Sequence, residues 1–124
     1  GYDHSLCCPP HTPDADETRK IISEYHAGLL VHFSGDVPVT KSIVNIEREI
    51  FLKNFHKVIS FGAGPCRLCT DCDKTRCKFP KEARPSMEGC GIDVYTTVRN
   101  NGFTINVLTS KDQAPNRFGL ILIE

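Results

Sequence analysis

Cys66, Cys69, Cys72 and Cys77 place four thiols within twelve consecutive residues, with Pro80 close behind them. So short a stretch has no interior of its own, so these side chains cannot all be core residues. They must pair as disulfides or bind a metal, and their spacing favours metal. Three cysteines at successive three-residue steps suit one wrapped loop whose sulfurs turn toward a common point. Iron–sulfur proteins use such a loop, in the run C-x2-C-x2-C-x3-C-P. Structural zinc more often takes two separated two-cysteine knuckles with a longer insert between them. Here Cys72 and Cys77 are only five positions apart, which leaves no such insert. The spacing therefore predicts a cysteine-ligated centre, a four-iron, four-sulfide (4Fe-4S) cluster ahead of the alternative, zinc.

The rest of the composition does not require the cysteines as staples. A chain of 124 residues with 40% apolar content is expected to form a single domain spanning 1–124. At this size folding buries roughly two-thirds of the unfolded surface, enough for a core without cross-links. The seven cysteines are also odd in number, so at least one stays unpaired within the chain. No secretory pattern opens the sequence, and no apolar run approaches the ~20 residues of a membrane span. These features predict a cytoplasmic protein with reduced thiols and no membrane partner. The formal net charge of +0 argues against a general nucleic-acid binder, which carries a basic excess. Residues 1–12 are read as irregular, since the Cys7-Cys8-Pro9-Pro10 run is too proline-rich for helix. The start on Gly1 rather than Met reads as an N-terminal part truncated relative to longer relatives.

Along the chain, the patterns predict an α+β fold: a small mixed sheet packed against helices, with the cysteine-rich metal loop at one end. Thr12 and Pro13 read as the cap and first position of a helix reaching Tyr25, with Ile21, Ile22 and Tyr25 facing inward. A strand is expected over 29–33. The longest helix is expected over 41–61, because Val44, Phe51, Phe55 and Val58 recur at helical spacing beside Ile43, Ile46 and Ile50. That reading packs Phe51, Phe55 and Val58 against the sheet and makes Gly62-Ala63-Gly64-Pro65 the helix stop. A further helix over 92–100 and strands over 104–108 and 118–123, joined by a hairpin, complete the plan. The apolar run from Phe118 to Ile123 reads as a central strand.

Few other residues nominate chemistry. Arg67, Lys74, Arg76, Lys78, Lys81 and Arg84 outnumber Asp71, Asp73 and Glu82 around the cysteines, as a negatively charged cluster would favour. A solvated loop with incidental cysteines is the plainer reading, but exposed free thiols are reactive liabilities. The Cys7-Cys8-Pro9-Pro10 segment could supply a further ligand to this centre, Cys8 above all, or half of another site, or its two thiols could have no role. Cys90, flanked by Gly89 and Gly91, reads as a small packing residue or a further ligand. The five histidines show no metal spacing, and no phosphate loop, dinucleotide fingerprint or nucleophile elbow is present. Arg84 is expected either as ordinary surface or turned back to the cysteine loop, with Glu88 as its buried partner.

Taken together, Cys8-Pro9-Pro10 through Thr18-Arg19-Lys20, the Gly62-Ala63-Gly64-Pro65-Cys66 run, Arg84-Pro85-Ser86-Met87-Glu88 and Gly91-Ile92-Asp93-Val94 have a recognisable order. In them the chain resembles a bacterial and archaeal family of predicted metal-binding proteins, domain of unknown function 2284. The resemblance covers nearly the whole chain and implies metal binding through Cys66, Cys69, Cys72 and Cys77. Members of the family tend to carry further cysteines before the Cys-Pro-Pro segment. Two functional classes follow. One is an electron-transfer or accessory module with a protein redox partner. The other is an enzyme, or enzyme subunit, whose cluster has an open iron site. No catalytic residue outside the cysteines decides between them, and the oligomeric state is open.

Overall fold

The computed structural model describes residues 2–102 and 116–124. Its elements are α1 (Ala15–Ser23), β1 (Ala27–Ser34), α2 (Val39–Leu52), β2 (Val58–Phe61), a 3-10 turn (Glu88–Cys90), α3 (Val94–Asn100) and β3 (Asn116–Ile123). The three strands form one sheet in the order β1-β3-β2, and both pairings are antiparallel. This is an α+β architecture. The expected strand at 104–108 lies outside the described residues, as does most of its hairpin connection.

Side-chain alternation on β3 explains why its sequence is apolar almost throughout. Phe118, Leu120 and Leu122 face one side, where they meet Phe61, Met87, Cys90 and Val98 with Ile21, Ile59 and Ile92 packed around them. Ile121 and Ile123 face the other, against Ile43 and Val44 of α2. A strand buried on both faces needs apolar residues at successive positions rather than at alternate ones. The sheet is thus a middle layer, with α2 on one side and α1, α3 and the 3-10 turn on the other. No helix among the described residues is long and apolar enough to cross a membrane.

The expected helix over 41–61 is corrected into a helix, a turn and a strand. Lys53 caps α2, and Asn54 adopts a left-handed φ of 73°, a conformation asparagine tolerates better than most residues. The chain then re-enters the sheet as β2, where β-branched Val58 and Ile59 suit a pleated surface. Phe55 and Val58 kept the helical phase by coincidence across this turn. The core assignment of the aromatic pair fails with it: Phe51 is 48% exposed and Phe55 44%. Gly62-Ala63-Gly64-Pro65 accordingly follows a strand rather than stopping a helix.

The first helix also starts later than expected. Asp14, not Thr12, is the cap: its carboxylate accepts from the Glu17 N–H, while the Glu17 carboxylate accepts from the Asp14 N–H. The Thr12 hydroxyl is free for a longer-range task and donates to the Gly89 carbonyl. Thr18, buried on α1, likewise donates to the Cys90 carbonyl at 2.7 Å. Ile22 is exposed, whereas Ile21 and Tyr25 pack inward as expected.

These bonds bring the N-terminal segment and α1 onto the turn at 86–91. Gly91 is required there, since its φ is 81° and a Cβ would lie 2.9 Å from Ala15. Loop 62–86 leaves the sheet at the end of β2 and returns to the same point. Gly62 N–H donates to the Pro85 carbonyl at 2.9 Å, and Gly62 forms a parallel bridge with Ser86. The cysteine loop is therefore closed at its base by backbone pairing.

Candidate metal centre

Cys66, Cys69, Cys72 and Cys77 sit on this closed loop, and all four are half-buried. They line a single cavity, together with Cys7 from the N-terminal segment. Leu6, Leu68, Phe79 and Ala83 supply apolar wall, and Asp73, Arg76 and Lys78 bring charge to it. Among the described residues, no three His, Cys, Asp or Glu side chains stand close enough to hold one metal ion.

Local backbone features shape the loop. Lys74 takes a left-handed φ of 64° between Cys72 and Cys77, and the Thr75 hydroxyl donates to the Asp73 carboxylate at 2.7 Å. The chain reverses in this interval, which lets the longer step to Cys77 return to the cavity. Gly64, at a φ of 73°, turns the chain just before Cys66.

The adjacent thiols of Cys7 and Cys8 are separated by a turn. Cys8 is buried in its own segment, its sulfur 3.4 Å from the Ser5 hydroxyl, and does not line the cavity. Cys7 does, with its N–H donating to the Ser5 hydroxyl oxygen at 3.1 Å. Burial first, and then the Cys66 and Cys77 thiols beside it, push the Cys7 thiol up to about 12. Several thiolates in one partly dry space repel one another unless a cation neutralises them. Cys90 lies elsewhere, fully buried in the core with Phe61, Met87 and Phe118, and burial pushes its thiol up to about 11.

Arg84 turns back to the loop, but its partner is not Glu88. Its Nε and Nη2 donate to Glu47 of α2 at 3.1 and 2.7 Å, and its Nη1 donates to the Ala83 and Pro80 carbonyls. The Ser60 hydroxyl of β2 donates to the same carboxylate at 2.7 Å. Burial raises the affinity of Glu47 for a proton, but the Arg84 and Ser60 hydrogen bonds outweigh it and hold the carboxyl below its ordinary value. Helix, strand and loop exit are joined through one half-buried carboxylate.

Sequence reasoning left the choice between Cys7 and Cys8 open and missed Glu47, for different reasons. No local spacing relates Cys7 to the cysteine loop, since the contact is tertiary. Glu47 did leave a signal: it lies four positions after Ile43 and three after Val44, on the apolar stripe of α2 rather than opposite it. A carboxylate on a buried face asks for a cationic partner.

The donor set fits a thiolate-ligated group on its chemistry, because several soft sulfur donors face one cavity bounded by apolar side chains. No curated protein and no solved structure gives a significant match to this chain. The family described as Predicted metal-binding protein (DUF2284) matches residues 1–123, and this chain, with its ring of cysteines, belongs to that family.

Proposed function

We propose that the chain is an iron–sulfur protein whose 4Fe-4S cluster is held in this cavity by Cys66, Cys69, Cys72 and Cys77. The observation that carries the reading is that all four cysteines of one closed loop line the same cavity. A single wrapped loop with cysteines at successive three-residue steps is the way iron–sulfur proteins hold a cluster, whereas structural zinc more often takes two separated knuckles. When bound, such a cluster supplies one-electron transfer.

The protein's contribution is to position and insulate. Leu6, Leu68 and Phe79 restrict water at the cavity wall, which bears on a centre's potential through burial. Arg76 and Lys78, also on the wall, offset the negative charge of assembled thiolates. The Arg84–Glu47 link and the Gly62–Ser86 bridge keep the loop from spreading. Because one-electron transfer is the chemistry such a cluster supplies, the chain serves as an electron-transfer or accessory module for a protein redox partner in the cytoplasm.

Anaerobic reconstitution with ferrous iron and sulfide, followed by metal and sulfide analysis with optical and electron paramagnetic spectra, tests it. The expected result is about four irons and four sulfides per chain, with loss of the cluster spectrum when the loop cysteines are replaced. Stoichiometric zinc that iron and sulfide do not displace would overturn the iron–sulfur assignment in favour of a structural zinc domain.

A further inference from the structure

Five thiols line the cavity, and one of them comes from outside the cysteine loop. A four-iron cluster or a zinc ion accepts four thiolates, and five are at hand. Cys66 and Cys77 are the loop thiols beside Cys7. We infer that Cys7 takes one of the four ligand positions of this centre in exchange for Cys77, so the N-terminal segment is part of the site. This rests on the reading of the cavity as a metal centre, and it holds for iron–sulfur or zinc alike, since thiolates ligate both.

Three placements carry the inference. The first is the different surroundings of two neighbouring cysteines. Cys8 is buried against Ser5, with its N–H donating to the Ser5 carbonyl at 3.0 Å, while Cys7 is on the cavity wall beside Cys66. The second is how firmly the segment is held on either side of Cys7. Ser5 is buried and its hydroxyl oxygen accepts the Cys7 N–H. His11 N–H donates to the Cys8 carbonyl at 2.9 Å, and Thr12 is anchored to Gly89. The third is close backbone approach from the far side. A Cβ on Gly89 would lie 3.5 Å from the Cys7 carbonyl oxygen, so the segment sits directly on the turn at 86–91.

These anchors hold Cys7 on the cavity wall. A thiol held there already faces the loop sulfurs, so ligation would require little rearrangement of the backbone. Ligand sets of this kind combine a local loop with one distant residue, and the distant residue then couples metal binding to folding of its own segment. The expected consequence is that metal loading protects residues 2–12 as well as the loop.

The test uses the full chain, loaded anaerobically with ferrous iron and sulfide or, in a parallel sample, with zinc. Each is compared with the metal-free protein by thiol alkylation and mass spectrometry. Protection of Cys66, Cys69 and Cys72 in either loaded sample establishes the centre. If loading protects none of the loop thiols, the metal-centre reading fails and takes this inference with it. Given a protected loop, loss of Cys7 alkylation on loading is the result expected. Equal alkylation of Cys7 in loaded and metal-free protein overturns the inference while leaving the centre intact.

Hydrogen exchange on Cys7→Ser provides a second reading. In the unsubstituted chain, loading should slow exchange in residues 2–12. In Cys7→Ser that slowing should be lost, whether the loop keeps its metal or not. Unchanged metal-dependent protection of residues 2–12 in the variant would overturn the role assigned to Cys7.

Discussion

Arg84 and Glu47 lie 37 positions apart, and neither is explained without the other. Their side chains are only 16% and 15% exposed, so each would be a poorly solvated charge if its partner were removed. Arg84→Met is expected to destabilise the fold by about 3 kcal/mol, because Glu47 is left with Ser60 alone. Glu47→Ala should cost a similar amount through the stranded guanidinium. Replacing both together by apolar residues should recover much of the loss, which denaturant titration of the single and double variants would reveal. The pair is also acid-sensitive, with a sign that follows from the lowered Glu47 value. Its stabilisation is present above the ordinary carboxyl value of 4.5 and is lost as pH falls through the depressed one. Equal stability of Arg84→Met and the unsubstituted chain would return this residue to ordinary surface.

Helix α2 shows why amphipathic periodicity has to be read together with its interruptions. Ile43 is completely buried and meets Ile121 across the sheet face, whereas Phe51 near the helix end is about half exposed. Beyond it, Phe55 lies in the irregular stretch between the turn at Asn54 and β2. Ile43→Ala is expected to cost about 2–5 kcal/mol, as for other large-to-small changes in packed cores. Phe55→Ala should cost about 1 kcal/mol or less, since a half-exposed ring leaves no closed cavity behind. Comparing the two variants by thermal or denaturant unfolding checks the corrected boundary. A larger loss for Phe55→Ala than for Ile43→Ala would restore the longer helix. The neighbouring Gly119 belongs to the same packing, because a Cβ there would lie 2.6 Å from the Ile43 Cδ1 atom. The helix approaches the central strand closely because that position has no side chain.

At the scale of the whole molecule, the sheet separates two cores and the cysteine loop closes at its edge. Cys90 lies within the core shared by α1, α3 and the 3-10 turn, so its protonation bears on the stability of that layer. Burial raises its thiol from an ordinary value of 9.0 to about 11. An unfolded chain therefore loses this proton at lower pH than the folded one. The stability tied to the protonated thiol is fully present below pH 9.0 and declines as pH rises toward about 11, by on the order of 2 kcal/mol. Denaturant midpoints measured across that interval should fall in the metal-free chain, and less so in Cys90→Ala after allowance for its lower starting stability. A slope that Cys90→Ala leaves untouched would assign the alkaline loss to other groups.

The sequence by itself determined what depends on near neighbours. The cysteine spacing marked the loop, a short apolar run marked β1, and the apolar run at Phe118–Ile123 marked a strand with both faces covered. Each signal is written within a few residues, because strand pleat, helix turn and loop wrapping have short repeats. The end of α2 was less legible, since helical phase continued by chance through Asn54 and only a left-handed backbone angle ended it. The tertiary structure decided that Cys7 rather than Cys8 faces the loop cysteines, that Cys90 is a core residue, and that Arg84 is bound by Glu47 instead of Glu88. Those choices join segments far apart in the chain, where steric fit and charge neutralisation select the partner and sequence distance carries no information about it.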